Sequence, residues 1–495
     1  MRDRVPLPAE ESLFLENAEF SEVLRQQLLT FNRNYQLRGL RYFAALKLQW
    51  ERRYPGKYFP GLCAEVDSIT GEMRPLEAQR AWGWGDTRAL GIWCYFLQKG
   101  RIPDREEVVP TGDGNVTVNL REFYADYCEH IYRCLRERMD ASEGCIPFLA
   151  DVTTNRASDD PRNLKPGPGE LIGTHIFAIN AFYQYGMWTG DGDALDLADR
   201  FRVACFGAAH ENRFVNHVTG KRTVHHTHGL MMVGTGALVD ALKTIDLLES
   251  RGDTSYRHLK QNLVATGRWA LDVFCGYHWN AHSKQFSEYL DPITRTPYRD
   301  AKGRAVCDPG HTAEGVGFFA EYLRWLPEDD RSAFRFNKHN TLDVLRDILL
   351  FVHAHGYSEV GVMFKNIDLD TLTGIPESIR ADVNATTAPW WNVRECCAAA
   401  IKLYQLTGDD RMWEVYRKAF DATYRHYPNQ RIGGLMVQNL DAHTLEPLPI
   451  FPATGNLDPM HSPRAREREI EALESLGTIG TIGVGLKAPI KIGGE

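Results

Sequence analysis

No stretch of 18 uninterrupted apolar residues occurs in this chain of 495, which excludes an ordinary membrane-spanning helix. Basic tracts are missing too. The 57 lysines and arginines stand against 65 aspartates and glutamates, a net charge of −8, so neither nucleic acid nor an anionic membrane surface is an expected partner. The opening MRDRVPLPAEESLF lacks the apolar run of an export signal, and a cytoplasmic location is expected. The ten cysteines form no CxxC pair, although Cys396 and Cys397 adjoin, and they read as reduced thiols packed as small apolar groups. The sequons Asn115-Val116-Thr117 and Asn384-Ala385-Thr386 then read as coincidental. HExxH is absent, and the glycines of GTIGTIGVG are followed by no Lys-Ser/Thr, so neither a zinc-protease helix nor a phosphate loop is expected.

What the chain does have is a repeated phrase of apolar helix, Gly-Asp corner and second helix. It stands at Thr189-Gly190-Asp191, Arg251-Gly252-Asp253 and Thr407-Gly408-Asp409. Glycine serves as a left-handed C-cap, and aspartate accepts from the free amides of the outgoing helix. Weaker helical patterns at 12–34, 36–52, 77–99, 117–138, 311–326, 339–355 and 460–475 bring the total to about a dozen. Solenoid repeats keep one short period, whereas these hairpins are separated by long Gly-, Pro- and aromatic-rich stretches at 276–310, 356–389 and 428–459. Each such stretch precedes an incoming helix, so all fall on one face. The pattern predicts an all-α (α/α)6 barrel over 1–475, with long loops and short β-hairpins walling a pocket at one mouth, and a tail over 476–495.

Chemistry concentrates in four places. In Asp308-Pro309-Gly310-His311, with Glu314 three residues on, Asp308 is a cap and Pro309 suits the first turn, so His311 and Glu314 share a face. The positive helix end is expected to disfavour the protonated imidazole and keep His311 available as a base. Trp390 and Trp391, with Glu395 beyond, supply flat apolar faces for a sugar and a carboxylate for its hydroxyls. His461 precedes Ser462-Pro463, read as cap and first helical residue. Arg80 is read within an early helix beside Trp82, Trp84 and Asp86.

Taken in order, these residues resemble the N-acylglucosamine 2-epimerase superfamily, which includes cellobiose 2-epimerases, mannose isomerases and sulfoquinovose isomerase-like proteins. The resemblance covers about 76–465 and rests on Gln79-Arg80, Pro309-Gly310-His311 with Glu314, Trp390-Trp391 with Glu395, Thr407-Gly408-Asp409, and His461 with Pro463-Arg464. It implies an (α/α)6 barrel acting on a free aldose, N-acylhexosamine or reducing-end sugar, without cofactor or metal. His311 and His461 would be the acid/base pair, Arg80 would face the carbonyl oxygen, and Glu314 would orient. Trp390, Trp391, Glu395, His228, Trp84 and Asp86 would bind substrate. A homodimer is compatible with the same reading.

Two departures stand out. The family's N-x-x-H-x-x-E-A helix is matched at His228, but no Glu-Ala follows, and the arginine expected before Pro-Gly-His is displaced, leaving Arg299 and Arg304 as imperfect candidates. Two rival classes stay open. An (α/α)6 glycoside hydrolase or polysaccharide lyase would recruit carboxylates among Asp86, Asp308, Glu314 and Glu395. A non-catalytic binding protein could reuse the ring. The histidines of 225–228, His278 with His282, and His353 with His355 invite a metal site, but 276–310 reads as loop and the metal-protease glutamate is missing.

Overall fold

The computed structural model describes residues 11–60, 66–112, 114–163, 170–215, 223–326, 338–380, 383–448 and 460–479, together with Pro6, Pro8 and Phe336. Among them are twelve α-helices: α1 (Glu22–Arg53), α2 (Gly83–Lys99), α3 (Leu120–Ala141), α4 (Thr174–Thr189), α5 (Gly192–His210), α6 (His228–Ser250), α7 (Arg257–Val273), α8 (Pro309–Tyr322), α9 (Lys338–His355), α10 (Trp390–Thr407), α11 (Asp410–His426) and α12 (Ala465–Ile479). No described helix is long and apolar enough to cross a membrane.

The even-numbered helices form the inner ring of an (α/α)6 barrel and the odd-numbered ones the outer ring. Their sequences differ accordingly. In α11 the buried Met412, Val415, Tyr416, Ala419, Phe420 and Tyr424 recur every three or four residues, the pattern of a helix with one face on the core. In α8 every residue except His311 is buried. The ring closes where α12 meets α2, with the Tyr95 hydroxyl donating to Glu471 (2.8 Å) and Arg101 to Glu467 (2.8 Å).

The Gly-Asp corners join inner to outer helices. Gly190 and Gly408 cap α4 and α10 at φ 81 and 65, and Asp191 and Asp409 accept the first amides of α5 and α11. At the second corner Asp253 accepts from Ser255, and α7 starts two residues later. The expected helices at 12–34 and 36–52 are one helix, α1, because no proline interrupts it, the helix carries on through Gly39, and Tyr35 and Gln36 at the expected break are buried. The expected helix at 77–99 begins only at Gly83. Ala81–Trp82 instead pairs with Leu149–Ala150 as a short antiparallel strand. At the other end α12 runs to Ile479, four residues past the expected end of the barrel, and 480–495 lie outside the described residues.

Five of the returns from an outer to an inner helix carry, among the described residues, a tight turn of one design. Asp67, Asp151, Asp291 and Asp441 each accept, through one carboxylate oxygen, the amides two and three residues on. The residue four positions on is left-handed: Gly71 (φ 77), Asn155 (55), Arg295 (59) and Leu445 (62), joined by Leu372 (57) after Asp368. The sequence behind it is Asp-x-x-Thr, starting at 67, 151, 291, 368 and 441; the similar sequence Asn216-x-x-Thr219 before α6 lies outside the described residues. The aspartate replaces backbone acceptors that a short hairpin cannot provide.

The base of the barrel is a lattice of buried ion pairs. Glu321 accepts from Arg468 Nε (3.0 Å) and Lys243 (3.2 Å), Lys243 also pairs with Glu471, and Arg101 bridges Glu467 and Glu474. Burial raises the Glu321 carboxyl, but Lys243 and Arg468 outweigh it and hold it well below the ordinary carboxylate range.

Candidate active site

The opposite mouth opens into a cavity of about 580 Å³, lined among others by Arg88, Glu288, Tyr289, His311, Glu314 and His461. Its floor is built by helix starts. Asp308 caps α8 by accepting the amides of Gly310 (3.0 Å) and His311 (3.1 Å), which aims His311 inward with 30% of its side chain exposed. The His311 Nδ1–H faces two carboxylates, Glu288 Oε1 at 3.1 Å and Asp308 Oδ2 at 3.2 Å. Burial lowers the imidazole, but Asp308 and then Glu288 prevail against Lys365, so His311 titrates above its ordinary value. The expected effect of the helix end is thus outweighed: a partial backbone charge is weaker than two adjoining carboxylates.

His461 reaches the same cavity from a π-type turn, Met460–Arg464, which contains Pro463 and leads into α12. It is thus inside a turn rather than ahead of a capped helix, since proline removes an amide donor and the turn widens. Its Nδ1–H donates to Glu395 Oε1 (3.0 Å), and Glu395 Oε2 accepts from Arg468 (3.2 Å). Both imidazoles pack on Trp391, with ring centroids 5.3 Å (His311) and 4.8 Å (His461) from the indole. Glu314 is 1% exposed and 4.0 Å from His461 Nδ1, and neither of its oxygens has a hydrogen-bond partner among the described residues. Burial, then the charge of Glu395, raises its carboxyl.

His311, His461 and Glu314 therefore meet, with Trp391 and Glu395 touching them, but the other expected residues sit elsewhere. Arg80 precedes the strand at Ala81 and donates to the Glu77 (2.8 Å) and Gln79 (2.7 Å) carbonyls, away from the cavity. Arg88, one turn into α2, lines the cavity instead, its guanidinium 4.7 Å from the Trp84 ring and 4.3 Å from Phe177. Trp84 thus backs an arginine. Asp86 is fully buried in an ion pair with Arg138. Trp390 is core, donating to Gln438 (3.3 Å). His228 lies behind His311, donating Nε2–H to its carbonyl (3.0 Å), and burial pushes it down to about 3. Arg304 lines the cavity paired with Asp300 (2.7 Å), whereas Arg299 pairs outside with Asp370.

Of the clustered histidines, His226, His228 and His278 are committed to hydrogen bonds through their rings. His226 Nδ1–H donates to His278 Nε2 (3.2 Å) and His278 Nδ1–H to the Ser287 carbonyl (2.7 Å), while His282 is exposed in a hairpin. Among the described residues, one group has ligand atoms close enough for a metal: Glu314, Glu395 and His461, within 4.8 Å of one another. Both Glu395 oxygens already accept from His461 and Arg468, so an ion would displace those bonds. Glu288 escaped the sequence reading altogether; only its position before the Tyr289-Leu290 strand hints at it.

No curated protein matches the chain in sequence. Solved structures share its fold, among them three sugar-converting enzymes. Cellobiose 2-epimerase from Bacillus thermoamylovorans B4167 is 15% identical, covers 89% of this chain and 98% of its own, and superposes with a TM-score of 0.61. Cellobiose 2-epimerase from Spirochaeta thermophila DSM 6192 is 14% identical, with coverage of 92% and 100% and a TM-score of 0.61. A D-mannose isomerase is 12% identical, with coverage of 95% and 99% and a TM-score of 0.57. The family model for N-acylglucosamine 2-epimerase (GlcNAc 2-epimerase) matches residues 249–454, which hold α8, α10 and the floor around His311 and Glu395. The chain thus resembles the N-acylglucosamine 2-epimerase family over 249–454 and shares the fold of these three enzymes over most of its length.

Proposed function

We propose that the protein is a sugar epimerase or aldose–ketose isomerase that moves the C2 proton of an open-chain aldose through an enediolate. The observation that carries this reading is the pair of imidazoles facing one cavity, each oriented through Nδ1 by a buried carboxylate. A proton alpha to an aldehyde is weakly acidic, so its removal needs a positioned base and donors for the oxygen that becomes anionic. With Nδ1 committed, Nε2 is the nitrogen that exchanges the proton. His461 withdraws the C2 proton, and His311, whose charged form its carboxylates favour, returns one; the roles exchange in the reverse direction. Delivery to the opposite face of C2 gives the epimer, and delivery to C1 gives the ketose.

Arg88 takes the place first read for Arg80, supplying a fork of donors to the enediolate oxygen. Glu314 stands beside His461, 4.0 Å from its Nδ1, and orients the imidazole through its charge. Trp391, Tyr289 and Tyr298 offer flat faces to the C–H surface of a sugar. The carboxylates a hydrolase would need favour proton transfer instead: Asp86 is held by Arg138, Glu395 by His461 and Arg468, and Asp308 by Lys365. The test is a proton NMR screen of free aldoses and N-acetylhexosamines in heavy water. Deuterium entering a carbon-bound position without bond cleavage is expected; cleavage without such exchange overturns the reading.

A further inference from the structure

Glu288 comes to the cavity from an irregular stretch, and backbone pairing on both sides fixes it there. Tyr289 and Leu290 pair antiparallel with Thr227 and His226, the His228 amide donates to the Glu288 carbonyl (2.9 Å), and the Glu288 amide donates to the Val306 carbonyl (2.8 Å). The residue is thus clamped between the segments that lead into α6 and α8. Its side chain is 2% exposed and unevenly used. Oε1 accepts from the Gly229 amide (3.0 Å) and from His311 Nδ1–H (3.1 Å). Oε2 has no hydrogen-bond partner among the described residues, although Glu288 lines the cavity.

Gly229 makes the approach possible. A Cβ there would stand 3.0 Å from Glu288 Oε1 and 3.0 Å from His311 Cε1, tighter than ordinary packing allows. A buried carboxylate oxygen with no donor is costly, and in an open cavity the missing donor is one that a ligand brings. A purely structural role leaves Oε2 unexplained, because Asp308 already caps α8 and the Gly229 amide needs one acceptor.

We propose that Glu288 is the positioning residue for His311 and that its Oε2 accepts a hydroxyl hydrogen of the substrate, so that the site selects an uncharged, hydroxylated carbon there and repels an acidic substituent. This rests on the proton-transfer reading above. It also supplies a carboxylate on the α6 side of the cavity, where Met231-Met232 stands in place of the Glu-Ala expected after His228.

The groups facing His311 define what the test must separate. Asp308 and Glu314 lie on its own helix, Glu288 and His228 face it from the α6 side, Lys365 stands behind Asp308, and Trp391 covers the ring. Of these, Glu288 touches Nδ1 and the cavity together without being the helix cap. The experiment compares wild type, Glu288→Gln and Glu288→Asp. In ligand-free protein, ring-nitrogen NMR should show the His311 midpoint falling by about half a pH unit or more in Glu288→Gln and less in Glu288→Asp. On an aldose found by the heavy-water screen, Glu288→Gln should lower kcat about 10–100-fold, move the His311 limb of the pH profile downward, and raise KM less for the deoxy analogue than for the parent sugar. Should Glu288→Gln fail to fold, Glu288→Asp carries the same readings. An unmoved His311 midpoint together with an unmoved pH limb overturns the proposal. If wild type exchanges no aldose, the proton-transfer reading fails by itself, and the ligand-free titration still decides whether Glu288 holds His311.

Discussion

The two ends of the barrel bury carboxylates in opposite ways. At the base Glu321 lies between Lys243 and Arg468, Glu467 accepts from Arg101, and Glu469 meets Arg394, so each negative charge has a cation against it. At the mouth Glu314 has no hydrogen-bond partner among the described residues, and Glu288 leaves one oxygen unused. Burial is equally deep at both ends; compensation is not. Buried charge satisfied from within holds a structure together, whereas buried charge left for something else to satisfy marks a place where a ligand or a proton arrives.

Two substitutions should break this contrast in opposite directions. Glu314→Gln is expected to lower turnover about 10²–10⁴-fold while leaving the fold as stable as before or more so, because it removes a charge that burial and Glu395 oppose. Kinetics and urea unfolding on one preparation check both halves. Glu321→Gln should cost about 3 kcal/mol of stability, the low end for breaking a buried pair, since Lys243 keeps Glu471 and Arg468 keeps Glu395.

Their pH dependences also run oppositely. The Glu321 carboxyl is depressed when folded, so its contribution is present above the ordinary value of 4.5 and is lost as pH falls toward the folded value. Glu314 is raised when folded, so its contribution is complete below 4.5 and is lost as pH rises through the folded value. Unfolding free energies from pH 3 to 8 should show Glu314→Gln gaining on wild type as pH rises, and Glu321→Gln closing the gap as pH falls.

The mouth was more legible in the sequence than the base. His311 and Glu314 follow a cap-Pro-Gly signal that fixes a helix start, and the Gly-Asp corners announce helical hairpins, so both the ring and the floor of the cavity are visible in local spacing. Arg80 misled because Trp82 and Trp84 flank it in a stretch of helical spacing, whereas pairing of Ala81 with Ala150, distant in sequence, makes the stretch extended. Glu288 was invisible for the same reason: its partner Gly229 lies 59 residues away. The base is not legible because Lys243, Glu321 and Glu471, on three different helices, look like solvated charges until the ring closes over them. The five Asp-x-x-Thr turns are a local sequence signal as well, but each spans too few residues to show as a period.

A smaller comparison sharpens the arginine assignment. Arg88→Ala should lower kcat about 10²–10³-fold, in line with a lost oxyanion donor, and Arg80→Ala should stay within about threefold of wild type. Equal losses would mean that Arg80 acts through the loop it tethers. The least effect is expected in the loops. Lys284, exposed and left-handed at φ 52 after Asn280, should gain about 0.5 kcal/mol on replacement by Gly, the relief of left-handed strain being partly offset by a freer unfolded chain. A thermal melt checks it.

The direct measurement of the mouth's function is deuterium entry at C2 of the substrate, followed by NMR in heavy water for wild type, His311→Asn, His461→Asn and Glu321→Gln at a temperature where all four are folded. Exchange should proceed in wild type and in Glu321→Gln, and should fall at least about 100-fold in each histidine variant for the sugar whose C2 proton that histidine removes. Exchange at the wild-type rate in both histidine variants, for both the substrate and its product, contradicts the proton-transfer pair.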